Sequence, residues 1–142
     1  MPLPDSMKER AAAGAKVRRE VLGDAYVDVA KKVPTPFSAH FTAFTQEHCW
    51  GNVWLRDGLE RKTRSMLNLA MLLAMGRWHE FEVHVLGALN NGVTPDEIAE
   101  IILQAGVYAG VPVAAEGFRR ADEVIQRVAL EDVKSADRKS VV

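Results

Sequence analysis

The residues with the clearest capacity for chemistry are Glu80 and His84, which lie within the stretch 77–91. If this stretch is a helix, successive residues turn by about 100° and the two side chains, at i and i+4, can meet. An ionisable pair at the edge of an apolar stripe is half buried, and there pKa values shift and proton transfer becomes possible. The apolar stripe beside the pair consists of Trp78, Phe81, Val85, Ala88 and Leu89.

Two other interpretations of the pair remain open from the residues alone. A surface pair at this spacing adds only a few tenths of a kcal/mol to helix stability. A metal site would use two ligands of this kind, but the sequence lacks His-Glu-x-x-His and His79 falls on another part of the helix. We therefore expect no metal at Glu80 and His84.

Cationic and aromatic residues supply candidates for substrate binding. Arg56 and Arg64 precede apolar helical stretches, and a half-buried guanidinium is a common ligand for a carboxylate. The alternative is that these guanidinium groups are solvated and bind no ligand, while the aliphatic parts of the side chains pack on the protein surface. His48, Trp50 and Tyr108 could line a pocket, although isolated residues of these types more often have structural roles. Helical periodicity places Tyr108 on the inward face of its predicted helix.

The composition favours a single globular domain over residues 1–142, with loose tails at residues 1–6 and 131–142. The net charge of -1, without a basic block, argues against nucleic acid as a partner. The single cysteine, Cys49, excludes an intrachain disulfide. The start lacks the apolar core of a signal peptide, and the longest apolar run, residues 66–75, is too short to span a bilayer. We expect a cytoplasmic protein.

Turn and cap signals divide the chain into helices. Ser6 with Glu9 and Thr94 with Glu97 have the capping-box spacing. Glycine or proline separates the predicted segments, and no strand pattern is visible. The fold class is therefore all-α, with about six to seven helices. The predicted helices cover 7–22, 24–33, 37–54, 61–75 after a third capping box at Asp57 and Glu60, 77–91, 95–109 and 113–128.

The almost wholly apolar helix over residues 66–75 points to association. A helix that is apolar on all sides is buried in a core or in an interface between subunits. In so short a chain this pattern favours a homo-oligomer.

Several segments in the same order resemble the carboxymuconolactone decarboxylase family. They are Arg18-Arg-Glu-Val-Leu-Gly-Asp24, Trp50-Gly-Asn-Val-Trp-Leu-Arg-Asp-Gly-Leu-Glu-Arg-Lys-Thr-Arg-Ser65, Glu80-x-Glu-x-His84 and the stretch from Glu97 to Pro112. The resemblance covers residues 8–128. It implies an alkyl hydroperoxidase D-like helical subunit in a ring-like homo-oligomer, a trimer or a hexamer.

The resemblance also implies an activity, the decarboxylation of gamma-carboxymuconolactone to 3-oxoadipate enol-lactone in aromatic-compound degradation. The substrate is a small dicarboxylate lactone, whose conjugated carbonyl accepts the electrons, so no cofactor is implied. His84 would donate the proton, oriented by Glu80, and Arg64 and Arg56 would hold a carboxylate or the lactone oxygen. Related peroxidases carry Cys-x-x-Cys where this chain has Arg77 and Glu80, which argues against thiol chemistry.

Some positions depart from the pattern of the decarboxylases in this family. Ala109 stands where they often have cysteine, and Glu116 lies close to where they often have asparagine. His48 and Cys49 before Trp50 are also less typical. These departures bear on the substrate more than on the fold, and the same scaffold could serve another small acid or a non-enzymatic binding function.

Overall fold

The computed structural model describes residues 6–29 and 34–140. Within these ranges the chain is all-α, as predicted, with seven α-helices, one π-helical segment and no strand. The chain divides into two compact units, Met1–Arg64 and Ser65–Val142, and the boundary falls inside α4. The elements are α1 (Met7–Leu22), α2 (Asp24–Val29), α3 (Pro36–Phe44), the π-helical segment (Thr45–Val53), α4 (Arg61–Ala74), α5 (Trp78–Asn90), α6 (Pro95–Ala109) and α7 (Val111–Ser140).

The first unit is built on the crossing of α1 and the π-helical segment. The predicted capping box forms at the start of α1, where Ser6 and Glu9 bond each other's backbone. Gly14 of α1 lies against Gly51 of the π-helical segment, and a Cβ on Gly14 would come within 2.5 Å of the Gly51 nitrogen. The absence of a side chain at both positions therefore allows the two backbones to touch.

The predicted helix over residues 37–54 has the expected extent but two kinds of winding. It begins at Pro36 behind the N-cap Thr35, and from Thr45 it continues with π-helical hydrogen bonding to Val53. A short π-helical stretch is uncommon and often occurs at functional sites. The other predicted helix of this region, 24–33, is seen as Asp24–Val29, and residues 30–33 lie outside the described part of the chain.

The second unit is organised around one apolar core. Phe81, Val85 and Ala88 of α5 are fully buried in it, which confirms the predicted apolar stripe. Gly117 of α7 allows close packing, because a Cβ there would meet the side chain of Leu73. Other buried members of this core are Leu69, Val93, Ile98, Ile102, Ala121 and Val124.

One predicted cap and the extent of one predicted helix differ from the structure. Helix α4 begins at Arg61, as predicted, and its first backbone bond runs from the Arg64 N–H to the carbonyl of Glu60. The predicted capping box with Asp57 as N-cap is therefore wrong. Helix α7 spans Val111–Ser140 rather than the predicted 113–128. Residues 131–140 are therefore helical, and the prediction of a loose tail there is wrong.

The capping box of α6 forms as predicted between Thr94 and Glu97, with Pro95 in the first turn. Asn91 and Gly92 end α5, and Gly92 has a φ of 85°, a conformation that glycine adopts without strain. Among the helices described here, none combines the length and the apolar character that crossing a membrane would require.

Candidate active site around His84

His84 lies on α5 and is partly buried, with its ring facing α4. Burial lowers the pKa of His84 to about 4, because the charged imidazolium loses solvation, while the Glu80 carboxylate one turn earlier acts in the opposite direction. The ring is therefore neutral at pH 7. Glu80 itself is exposed, so the pair combines a solvated carboxylate with a desolvated imidazole.

Polar side chains of α4 meet polar side chains of α5 in what we call the α4–α5 polar strip, formed by Ser65, Asn68, His84 and Asn91. Nδ2 of Asn68 lies 3.4 Å from Nδ1 of His84. The Asn91 amide donates to the Ser65 hydroxyl at 2.9 Å, and Ser65 is fully buried. The strip places an amide against the imidazole inside an otherwise apolar contact.

Sequence reasoning missed the contact between Asn68 and His84. The residue was visible as the one polar interruption of the apolar run 66–75. A polar side chain in a helix that is otherwise apolar needs a partner when it is partly buried. That signal could have identified Asn68, but the partner depends on how α4 and α5 are aligned, which the sequence does not specify.

Arg64 and Arg56 belong to the first unit. Nη2 of Arg64 donates to the carbonyl oxygen of Arg56 at 3.1 Å. Nε of Arg64 is buried and has no hydrogen-bond partner in the structure. A buried N–H of this kind favours an additional acceptor, and a carboxylate oxygen is a suitable one.

Arg56 is exposed and lines a pocket of about 330 Å³ in the first unit. Its apolar lining residues are Trp54, Leu55 and Leu59, and its charged lining residues are Arg56, Asp57, Glu60 and Arg61. Arg61 also forms an ion pair with Glu20 at 2.7 Å. Two positive and two negative groups therefore line this pocket, and its composition alone does not select an anion.

The remaining predicted binding residues have different surroundings. Trp50 is buried, and its ring stacks on Trp54 at 5.1 Å between centroids, so it forms part of the packing of the first unit. His48 is exposed, and its ring lies 4.6 Å from that of Phe44. Tyr108, which the helical pattern placed on the inner face of α6, is 84% exposed, so that placement is wrong for the single chain.

Glu116, one of the positions that depart from the family pattern, takes part in an ion-pair cluster on α7. Arg119 contacts it with two nitrogens, at 2.7 and 3.0 Å, and Arg120 contacts it at 2.5 Å. Hydrogen bonds from these two arginines lower the pKa of Glu116 to about 2. Arg120 also reaches Glu82 of α5 at 2.7 Å. Glu116 thus helps to join two helices.

In the described ranges 6–29 and 34–140, no three His, Cys, Asp or Glu side chains are grouped closely enough to hold an ion.

The single thiol, Cys49, is exposed on the π-helical segment, and partial burial of the thiol raises its pKa. A raised pKa disfavours the reactive thiolate.

Comparison of the amino-acid sequence with known proteins places this chain in a family. Residues 39–123 match the carboxymuconolactone decarboxylase family. The chain belongs to this family. It is 39% identical to a 4-carboxymuconolactone decarboxylase from Acinetobacter baylyi over 127 residues, which cover 89% of this chain and 95% of that protein.

A second relative in this family carries another decarboxylase name. The chain is 46% identical over 105 residues to a nitrosuccinic acid decarboxylase from Metarhizium robertsii, covering 74% of this chain and 73% of that protein. It is also 33% identical over 88 residues to an uncharacterised 15.0 kDa protein from Paracoccus denitrificans, with 61% and 63% coverage. These relationships support a carboxy-lyase activity.

Proposed function

We propose that the chain decarboxylates gamma-carboxymuconolactone to 3-oxoadipate enol-lactone, as a step in aromatic-compound degradation through the protocatechuate branch of the beta-ketoadipate pathway. The observation that carries this proposal is the desolvated imidazole of His84 beside Glu80 in a chain that aligns with nearly the whole of a 4-carboxymuconolactone decarboxylase. The alternative on the same scaffold is another small acid, or a binding function without catalysis.

The substrate supplies the electron sink for this reaction. The carboxylate that leaves is attached to the ring carbon gamma to the lactone carbonyl, and a carbon–carbon double bond connects the two. When its C–C bond breaks, CO₂ departs and the electron pair moves through the double bond onto the carbonyl oxygen. A proton added to the carbon next to the carbonyl completes the product, so the reaction as written consumes one proton and needs no redox partner.

We assign the donation of this proton to His84. The ring is neutral at pH 7 because burial lowers its pKa, and a neutral imidazole can still donate its N–H toward an enolate-type oxyanion. Charge develops on the lactone oxygen in the transition state, so an N–H aimed there stabilises the transition state more than the substrate. When this proton moves to the carbon next to the carbonyl, the neutral ring becomes an imidazolate, and solvent returns one proton to it, which is the proton that the overall reaction consumes. Glu80 orients the imidazole in this proposal.

Arg64 and Arg56 remain the proposed ligands for the retained carboxylate. Support comes from the buried Arg64 Nε without a partner and from the position of Arg56 in a pocket with apolar walls. A guanidinium offers a planar set of donors that matches a carboxylate. Tyr108, His48 and Trp50 stay weaker candidates for binding.

Nitrosuccinic acid is the second candidate substrate, because the relative named for it is the more identical of the two decarboxylases over its aligned region. It too is a small dicarboxylic acid, and its nitro group could accept the electrons that the carboxylate leaves behind. Decarboxylation of either acid therefore requires the protein to bind a carboxylate, stabilise an oxyanion and deliver a proton to carbon.

The test is to mix the purified protein with each acid separately and to measure CO₂ release. We expect turnover of the lactone, and we expect His84→Ala to lower kcat by at least about 100-fold, the lower end of the effect of a general acid. His79→Ala is the matched control, because His79 is an exposed neighbour on the same helix. It should fold and turn over like the unchanged protein.

Three results would contradict the proposal in different ways. Faster turnover of nitrosuccinate than of the lactone would reassign the substrate. Near-normal kcat in His84→Ala would remove His84 from the proton step. Absence of turnover on both acids would favour another acid or a binding function.

We further propose that the protein works as a cytoplasmic homo-oligomer, a trimer or a hexamer.

A further inference from the structure

Asn68 is the polar residue of α4 that contacts the imidazole, and neither the family match nor the proposed mechanism gives it a role. It is partly buried, and its Nδ2 lies 3.4 Å from Nδ1 of His84. Burying an amide in an apolar contact is unfavourable unless it gains a hydrogen bond. Its position therefore requires a physical explanation, and the imidazole nitrogen supplies one.

The chemistry of the two groups determines the direction of this bond. The amide nitrogen of asparagine can only donate, so Nδ1 of His84 must accept. A neutral imidazole carries one proton, and if Nδ1 is the acceptor the proton is on Nε2. The partner of one ring nitrogen thus decides what the other nitrogen can do.

We propose that Asn68 is a positioning residue, which donates to Nδ1 of His84, holds the neutral ring as the Nε2–H tautomer and so makes Nε2 the proton-carrying nitrogen. The catalytic consequence rests on the proposed decarboxylase function. The tautomer itself does not, because it is a property of the free protein. The reaction needs an N–H toward the developing oxyanion, and the other tautomer would present a lone pair there.

The second pair of the α4–α5 polar strip supports this role. Asn91 donates to the Ser65 hydroxyl at 2.9 Å, farther along the same two helices. Two side-chain bonds at separate points fix the register of α4 against α5. The Asn68 amide is consequently held at the imidazole by the helix pair rather than by its own flexible side chain. The Glu80 carboxylate, one turn earlier on α5, also acts on the His84 ring and raises its pKa.

The direct test is nitrogen NMR of the free protein with ¹⁵N-labelled histidine. The chain has 4 histidines, and loss of one set of ring signals in His84→Gln assigns His84. At pH 7 we expect the coupling pattern of the Nε2–H tautomer. A pattern with the proton on Nδ1 would overturn the proposal, whatever the variants do.

Asn68→Asp reverses the polarity of the contact, since a carboxylate can only accept. We expect the proton to move to Nδ1 in the neutral ring, and the pKa of His84 to rise toward the opposite charge. Asn68→Leu removes the donor without adding a charge, and should leave a mixture of tautomers. An unchanged His84 spectrum in both variants would contradict the proposed role.

The kinetic signature is a change in pH profile, which loss of packing alone would not produce. In Asn68→Asp, kcat should fall by about 10- to 100-fold above the new pKa of His84, the size of effect expected for a residue that orients a functional histidine. Below that pKa, kcat should recover. In the unchanged protein, kcat should not change with pH in this range. The matched control is Asn90→Asp, which places the same charge at an exposed position of α5, six residues or about 9 Å from His84 along the helix, and should keep the profile of the unchanged protein.

The outcomes separate this inference from the proposed function. The Nε2–H pattern in a protein that decarboxylates neither acid would support the tautomer assignment and contradict the decarboxylase proposal. Turnover of the lactone by a protein whose His84 carries the proton on Nδ1 would support the decarboxylase and overturn the role of Asn68. If Asn68→Asp turns over the lactone with the same pH dependence of kcat as the unchanged protein, the proposed role of Asn68 would also be overturned.

Discussion

At the scale of single residues, burial of His84 couples the charge of its ring to folding. The folded chain holds the pKa of His84 at about 4, against 6.5 for an ordinary histidine. Between these two pH values the unfolded chain binds more protons than the folded one, so the free energy of unfolding must fall as the pH is lowered through this window. Above pH 6.5 the His84 ring is neutral in both the folded and the unfolded chain, so its ionisation no longer lowers the free energy of unfolding.

The prediction is that His84→Gln reduces the loss of stability between pH 7 and pH 4. The pKa difference corresponds to at most roughly 3 kcal/mol for this residue. Urea unfolding of both proteins at each pH measures it, with His79→Gln as the control, because that histidine is exposed. Equal acid sensitivity in His84→Gln and the unchanged protein would mean that the ring is solvated.

The sequence predicted the helical spacing of Glu80 and His84, but it could not predict the partner of the imidazole. Spacing at i and i+4 is a local property of one helix. The contact with Asn68 joins residues on different helices, and it depends on the alignment of α4 with α5. Tyr108 shows the same limit, since helical periodicity placed it inward and it is exposed in the chain.

At the scale of elements, the crossing of α1 and the π-helical segment leaves no room for a methyl group. A Cβ on Gly14 would clash with the carbonyl oxygen of Gln46 and come within 2.5 Å of the Gly51 nitrogen. Both neighbours are backbone atoms, so the elements would have to separate. We expect Gly14→Ala to destabilise the protein by about 1–3 kcal/mol or more, as overpacked sites do.

Gly58→Ala is the control for this prediction. A Cβ at Gly58 would meet nothing within 4 Å, so the substitution should leave stability nearly unchanged or raise it by a few tenths of a kcal/mol. Thermal and urea unfolding of the two variants give the comparison. Equal stability of Gly14→Ala and Gly58→Ala would show that the crossing is looser than the structure describes.

Elements specified by local chemistry were predictable, and those specified by packing were not. The capping boxes at Ser6 and Thr94 formed because each satisfies its own helix end. The π-helical winding after Thr45 has no signal in the residue types, since it accompanies the close approach of Gly51 to α1. The polar composition of residues 131–142 predicted a frayed end, but it is equally compatible with the exposed helix that the structure shows to Ser140.

At the scale of the whole molecule, α4 leaves apolar side chains in solvent. One face of the helix is in the core, through Leu69 and Leu73. The other carries Leu67 and Met71, which are 47% and 52% exposed in the single chain, and Met75 directly after the helix is 62% exposed. A contiguous apolar stripe of this kind is typical of an interaction surface.

We predict that the protein is a homo-oligomer and that this stripe contributes to its interface. A carboxylate at position 71 would be buried without a partner in such an interface, so Met71→Glu should shift the assembly toward monomer in size-exclusion chromatography with light scattering. Met7→Glu is the matched control, because Met7 is 66% exposed on α1. A monomeric unchanged protein at micromolar concentration would contradict assembly, and an oligomer that persists in folded Met71→Glu would place the interface elsewhere.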